Sequence, residues 1–232
     1  MILAANFKMN HTRASTRAYL QKLESIDKGD VALYLFPPFT ALDNYDTAVA
    51  TIGAQNAYCA QSGSYTGEIG LEQLEEFGIK TLILGHSERR HLFGESQELI
   101  TKKFAFFKEQ GFTIFYCVGE TQEVRESGST ELIYSYIEQQ LEGIDVAYEK
   151  LIVAYEPVWA IGTGKTATTE DIATMLEFLR TKTKRPLLYG GSVKPQNIAQ
   201  ILQVPECEGA LIGTASWNVD TFMTMINIAK EL

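Results

Sequence analysis

The sequence is short of positive charge. Its 232 residues carry 20 Lys and Arg against 29 Asp and Glu, a formal net charge of −9. That is the wrong sign for a protein that follows a phosphate backbone or an anionic membrane. Cysteine is scarce as well: Cys59, Cys117 and Cys207 are an odd number in a chain too long to need staples. No disulfide framework is expected, and reduced thiols in a cytoplasm are. Of the 3 histidines, His86 and His91 would lie about 140° apart on a helix, a poor pair for a metal. With 18 Gly and 6 Pro in a chain 45% hydrophobic and 21% charged, collagen-like, low-complexity and disordered classes are excluded. Long apolar runs are lacking too. Leu151 to Tyr155 and Val158 to Ile161 stop far short of the ~20 residues of a membrane-spanning helix. The opening Met1 to Ala5 meets Asn6 and Lys8 too soon for the apolar region of a signal peptide. Nucleic acid, membrane and secretion are therefore not expected.

What the sequence does have is eight short runs rich in Val, Ile, Leu and Tyr. They are Ile2 to Ala5, Val31 to Phe36, Thr51 to Gln55, Thr81 to Leu84, Thr113 to Cys117, Leu151 to Tyr155, Pro186 to Tyr189 and Ala210 to Ile212. Near-continuous apolarity fits strands buried on both faces, as in a parallel sheet. Helical spacing follows the runs, most clearly at Ile172, Met175, Leu176 and Leu179 and at Phe222, Met225, Ile226 and Ala229. Thr168 or Thr169 would cap the first of these helices, with Glu170 and Asp171 in its first turn. Eight strand–helix units in 232 residues leave about 30 residues each, the length of a βαβ unit, and the total is near the ~250 residues of a (β/α)8 barrel. The expected architecture is an α/β protein, one (β/α)8 barrel over residues 1–232 with no internal linker. A doubly wound open sheet is the alternative, since alternation alone does not show closure.

In a barrel the chemistry sits at the C-terminal ends of the strands. Those ends carry Asn6 and Lys8, Gln55 and Asn56, Gly85 and His86, Gly119 and Glu120, Glu156 and Pro157, Gly190 to Ser192, and Gly213 and Thr214. Glu156 emerges from an apolar strand, where desolvation would raise its pKa and strengthen it as a base. It reads as a base or as a carboxylate paired to a cation for structural reasons. His86 precedes Ser87-Glu88-Arg89-Arg90, a segment able to open a short helix whose N-terminus would favour a neutral imidazole. It reads as an electrophile or as a structural histidine. Lys8 would bring positive charge to the mouth of an acidic protein, or is simply solvated. The glycine turns at Ile161 to Gly164, Gly190 to Ser192 and Ile212 to Thr214 together suggest a phosphate cup of backbone N–H groups. Two other patterns fail. Gly164-Lys165-Thr166 lacks the first glycine of a P-loop, since that position is Trp159. Gly162, Gly164 and Ala167 begin too far from their strand for a dinucleotide fingerprint.

Five segments in order carry a family resemblance: Asn6 to Asn10, Gly85 to Arg90, Cys117 to Glu120, Ala154 to Gly164 and Tyr189 to Val193. Over nearly the whole chain they resemble the triosephosphate isomerase family. The resemblance implies a TIM barrel that interconverts dihydroxyacetone phosphate and glyceraldehyde 3-phosphate with no cofactor and no metal. By position it implies Glu156 as the base, His86 as the neutral electrophile, and Lys8 and Asn6 as stabilisers of enediolate charge that also contact substrate. Gly162, Ser192, Gly213 and Thr214 match the phosphate cup, and Ile161 and Leu211 the apolar clamp around the base. Glu120 matches the open-state partner of Trp159, Glu88 the partner of Lys8, and Ser87 and Tyr189 further residues around the site. Pro157 to Ala167 resembles the lid. Gly63 to Glu68 resembles the loop that interdigitates in a homodimer, with Thr66 entering the neighbouring site, although by composition it is equally a solvent loop.

The sequence departs from the family pattern in places. Thr214 stands for a usual glycine, and a β-branched residue resists φ > 0, so a differently shaped cup is expected. Phe7 replaces a common Trp and Gly70 a common Ser. The chain is also shorter than usual, with the shortening placed in the first helix and near Thr181 to Pro186. Competing readings are another phosphosugar barrel enzyme that shares the phosphate cup and a non-catalytic phosphate- or nucleotide-binding protein. Cys117 ends a strand near the site, but burial favours a structural role for it.

Overall fold

A computed structural model describes residues 1–160 and 166–232. Eight strands among them are β1 (Ile2–Asn6), β2 (Ala32–Phe36), β3 (Thr51–Ile52), β4 (Thr81–Leu84), β5 (Thr113–Val118), β6 (Leu151–Tyr155), β7 (Leu187–Tyr189) and β8 (Gly209–Ile212). They form one sheet in the order β3-β2-β1-β8-β7-β6-β5-β4, and all the pairings are parallel. The two edges of that order meet. Ala54, just past β3, bridges Leu82 of β4, and its N–H donates to the Thr81 carbonyl at 2.9 Å. The sheet therefore curls into a nearly closed barrel, whereas in an open doubly wound sheet the edges stay apart.

Around it lie α1 (Arg13–Leu23), α2 (Leu71–Glu76), α3 (Ser87–His91), α4 (Gln97–Glu109), α5 (Gln122–Glu126), α6 (Thr130–Leu141), α7 (Thr169–Lys182), α8 (Ile198–Leu202) and α9 (Val219–Lys230). Side chains that accept from first-turn amides fix their starts. Thr12 caps α1, Ser96 α4, Thr168 α7 and Asn218 α9. The faces expected from periodicity are buried, Ile172, Met175, Leu176 and Leu179 on α7 and Phe222, Met225, Ile226 and Ala229 on α9.

Two expectations are corrected. The run Thr51 to Gln55 is strand only at Thr51–Ile52. At Gly53 the bare backbone packs against the Phe36 ring, which a Cβ would approach to 2.4 Å, and the ladder resumes only as the Ala54 bridge. Nor does an α-helix follow every strand: between β2 and β3 the described residues form a 3-10 turn, Phe39–Ala41, and no longer helix. Pro37, Pro38, Asp43, Asn44 and Asp46 crowd this stretch with residues that disfavour helix.

Alternation along the strands places the site. Ala4, Phe36, Ile83, Phe115, Cys117, Ile152, Ala154, Leu188 and Leu211 fill the barrel interior. Residues of opposite parity, such as Leu3, Leu35, Leu82, Tyr116 and Val153, pack beneath the helices. Successive inward positions are two residues apart. Two beyond Ala4, Ile83, Cys117, Ala154, Leu188 and Leu211 come Asn6, Gly85, Gly119, Glu156, Gly190 and Gly213. The top layer of the barrel is thus one carboxylate, one amide and four glycines, which leaves open space around two polar side chains.

Candidate active site

That space is a cavity of about 350 Å³ whose lining includes Asn6, Lys8, His86, Glu156, Ser192, Leu211, Gly213 and Thr214. Residues from β1, β4, β6, β7 and β8 or the loops after them converge there.

Glu156 is 2% exposed. Its backbone N–H donates to the Val118 carbonyl at 2.7 Å, continuing the β5–β6 pairing past the strand end. Its Oε2 accepts from the Ser87 N–H at 2.9 Å, and Oε1 lies 3.1 Å from His86 Nε2. Burial by itself would raise this pKa, but the His86 ring, the Ser87 amide and the Lys8 charge outweigh it, and the carboxyl is held below its ordinary value. The upward shift expected from the sequence is therefore reversed: the apolar strand is legible in sequence, but the donors brought to it by other strands are not.

His86 is the N-cap residue of α3, and its Nδ1 accepts from the Glu88 N–H at 3.2 Å. A backbone N–H can only donate, so Nδ1 carries no proton. The ring is the neutral Nε2–H tautomer, and it donates to Glu156. Sequence placed the imidazole at a helix start, and the cap geometry adds which nitrogen faces the cavity.

Lys8 holds φ of +51°, a left-handed conformation that long side chains rarely adopt. Its N–H donates to Asn6 Oδ1 at 2.9 Å, and its carbonyl accepts from Gln55 Nε2 at 2.8 Å. Its Nζ donates to Glu88 Oε1 at 2.7 Å. The sequence marks Gln55 only as a strand-end residue; the structure makes it an anchor for both Lys8 and the end of β2, since it also donates to the Phe36 carbonyl at 2.8 Å.

Ser192, Gly213 and Thr214 lie together on the β7–β8 side of the cavity. Thr214 opens a 3-10 turn, Thr214–Ser216, and is not among the residues with positive φ. The backbone at Thr214 thus avoids the left-handed region that a β-branched residue resists. No backbone hydrogen bond among the described residues uses the N–H of Gly213 or Thr214, leaving both amides as donors at the cavity edge.

Trp159, in the 3-10 turn Val158–Ala160, donates from Nε1 to Glu120 Oε1 at 2.7 Å, and the Tyr155 hydroxyl donates to the same oxygen at 3.0 Å. Burial pushes the Glu120 pKa up, and these donors only partly oppose it. Ile161 and Gly162, with the rest of 161–165, lie outside the described residues. Leu211 lies on the barrel-interior face and lines the cavity. Tyr189 is buried beside Gly191, and burial raises its phenol pKa. Ser87 is buried and contributes its amide to Glu156. Cys117 is wholly buried in the barrel, where burial pushes its thiol pKa well up; the thiolate needed for reactivity is disfavoured. Thr66 stands apart, exposed on the loop Gly63 to Glu68.

The family model described as triosephosphate isomerase matches residues 1–229. The chain belongs to the triosephosphate isomerase family. A triosephosphate isomerase of a Nitratiruptor species is 62% identical over 233 residues, covering 100% of both chains. Those of a Sulfurovum species and of Wolinella succinogenes are 56% and 53% identical, each over 97% of this chain and 99% of the relative. Its reaction is accordingly that family's aldose–ketose isomerisation, and its substrates are triose phosphates. No helix among the described residues is long and apolar enough to cross a membrane.

Proposed function

We propose that in the interconversion of dihydroxyacetone phosphate and D-glyceraldehyde 3-phosphate by this chain Glu156 is the base and His86 the electrophile, with no cofactor taking part. The proton next to a carbonyl is weakly acidic, so a base is insufficient unless the enediolate oxygens are stabilised as they gain charge. Glu156 takes a proton from one substrate carbon and returns it to the next. The His86 Nε2–H polarises and protonates the oxygens, while Lys8 and Asn6 hold the enediolate charge. The amides of Ser192, Gly213, Thr214 and Gly162 hold the phosphate. The observation that carries this reading is a carboxylate 2% exposed and 3.1 Å from the Nε2 of a ring whose other nitrogen is already occupied. Exclusion of water strengthens every charge interaction in such a site.

The Trp159–Glu120 hydrogen bond, the contact that the family resemblance assigns to Trp159 before closure, supports the reading of Pro157 to Ala167 as a lid whose closure would hinder loss of phosphate from the enediolate. Self-association into a homodimer is supported by apolar side chains left in water by the single chain: Met9 is 94%, Leu92 74% and Phe93 66% exposed. The loop bearing Thr66 would enter the partner's site. The enzyme works in the cytoplasm, in glycolysis and gluconeogenesis.

Turnover in deuterated water tests the proton transfer. Solvent deuterium is expected at the substrate carbons with the wild type and not with Glu156→Gln, and unlabelled product from an active wild type would contradict a base that exchanges with solvent. Sedimentation of the wild type is expected at twice the chain mass; a monomer would contradict the dimer.

A further inference from the structure

We propose that Arg90 is a positioning residue for the isomerisation, its guanidinium tying the turn that carries His86 to the strand end that leads into Gly119. The inference rests on the assignment of His86 and Glu156 made above.

Arg90 lies on α3, four residues beyond His86. Its Nε donates to the Gly85 carbonyl at 2.7 Å. Nη2 donates to the Tyr116 hydroxyl at 3.0 Å and to the Cys117 carbonyl at 3.2 Å, and Nη1 donates to Gln97 Oε1 at 2.8 Å. One rigid planar fork therefore joins the residue before His86, the upper part of β5 and the first residue of α4. The fit depends on a glycine. Gly85 has φ of +71°, and a Cβ there would stand 2.6 Å from Nη2 and 3.2 Å from Cζ of Arg90.

The partners distinguish this arginine from a surface ion pair. All four are neutral, and Arg90 forms no salt bridge among the described residues, although the chain has 29 acidic residues. The adjacent Arg89 instead pairs with Glu95 at 2.8 Å. A cation whose hydrogen bonds go to two carbonyls and a hydroxyl at two strands and to an amide at a helix start fixes geometry rather than neutralising charge.

The connection continues to the base. The Tyr116 hydroxyl donates to the Gln140 carbonyl. The Gln140 side chain brackets Gly119, accepting from its N–H and donating to its carbonyl, each at 2.9 Å. Gly119 lies so close to the base that a Cβ on it would fall 1.7 Å from the Glu156 carbonyl oxygen. Through Gly85 the fork sets His86, and through β5 it sets the backbone that Glu156 packs against. The separation of electrophile and base is thus fixed from outside the barrel.

Arg90→Ala tests this, with Arg90→Lys and His86→Gln made alongside. Misplacing catalytic groups by about 1 Å can cost ~100-fold, so a loss of at least about tenfold in kcat is expected for a folded Arg90→Ala. Competitive inhibition by inorganic phosphate, held on the β7–β8 side, should stay as in the wild type. The 15N resonance of His86 Nε2, one of only 3 histidines, should shift. Guanidinium chloride at non-denaturing concentration should restore part of kcat where equal sodium chloride does not. Arg90→Lys keeps the charge without the fork and should retain the loss; if the alanine variant does not fold, it carries the test alone. Wild-type kcat in either folded variant would overturn the inference. So would a loss in Arg90→Ala matched by equally weakened phosphate inhibition and unrelieved by guanidinium. An unimpaired His86→Gln overturns the underlying reading as well, whereas an impaired His86→Gln beside unimpaired Arg90 variants overturns this inference alone.

Discussion

His86 Nε2 and Glu156 Oε1 stand 3.1 Å apart across the mouth of the barrel, each satisfying the other. The ring must be the donor, because Nδ1 already accepts from the Glu88 amide. A triose phosphate bound between them would exchange one contact for two: its oxygen takes the Nε2–H and its carbon presents a proton to the freed carboxylate.

His86→Gln keeps a donor but not the ring or its cap geometry. Loss of a single preorganised donor to a developing oxyanion costs about 10²–10³ in kcat, and that range is expected with KM little changed. Steady-state kinetics decide it, since a rise in KM at unchanged kcat would mean that His86 serves only ground-state binding.

Gly119→Ala places a methyl group where the Glu156 carbonyl already is, 1.7 Å from the new Cβ. The backbone must shift at Glu156 itself. Overpacking of this kind costs about 1–3 kcal/mol, so a lower melting temperature together with reduced kcat is expected. Unchanged values of both in a melt and an assay would show that the loop moves aside freely.

Glu95 predicts the acid limit of stability. Burial opposes its ionisation, but Lys103 at 2.5 Å and Arg89 at 2.8 Å hold its pKa below the ordinary 4.5. A carboxyl lowered on folding contributes stability that is fully present above 4.5 and is lost as pH falls from there through its folded value. Glu95→Gln should flatten that acid slope in urea unfolding. It should also cost about 3–5 kcal/mol near neutral pH, because the Lys103 ammonium stays buried without its partner. A variant with wild-type stability at neutral pH would show that the buried pair does not stabilise the fold.

Glu120 has the opposite sign. Burial comes first among its causes and raises its pKa from 4.5, so its stabilising contribution is present below 4.5 and falls as pH rises through the folded value. Glu120→Gln keeps an acceptor for Trp159 and Tyr155 and removes the buried charge. Thermal melts near neutral pH should show equal or higher stability than the wild type, and a clearly lower melting temperature would mean that the charge itself is needed.

Strands buried on both faces were legible in the sequence because apolarity persists through them, and Glu156 and Asn6 were legible because each stands where such an apolar run ends. The β2–β3 connection was not, since Val49, Ala50 and neighbouring apolar residues sit among helix-breaking ones and no periodicity separates a short helix from a packed loop. The direction of the Glu156 shift was missed because it depends on His86 first, then on Ser87 and Lys8, which reach it from other strands. Gln55 and Arg90 act on carbonyls 47 and 27 residues away in sequence, at Lys8 and Cys117. Spacing carries no trace of such contacts, whereas strand register, once known, brings them within reach.

The most direct test of Glu156 as the base is a coupled assay that follows dihydroxyacetone phosphate formation from glyceraldehyde 3-phosphate by wild type and Glu156→Gln. Loss of the base should lower kcat by about 10²–10⁴ while inorganic phosphate still inhibits the residual activity with wild-type affinity. Near-normal turnover by Glu156→Gln would contradict the assignment of Glu156 and with it the mechanism built on the His86 contact.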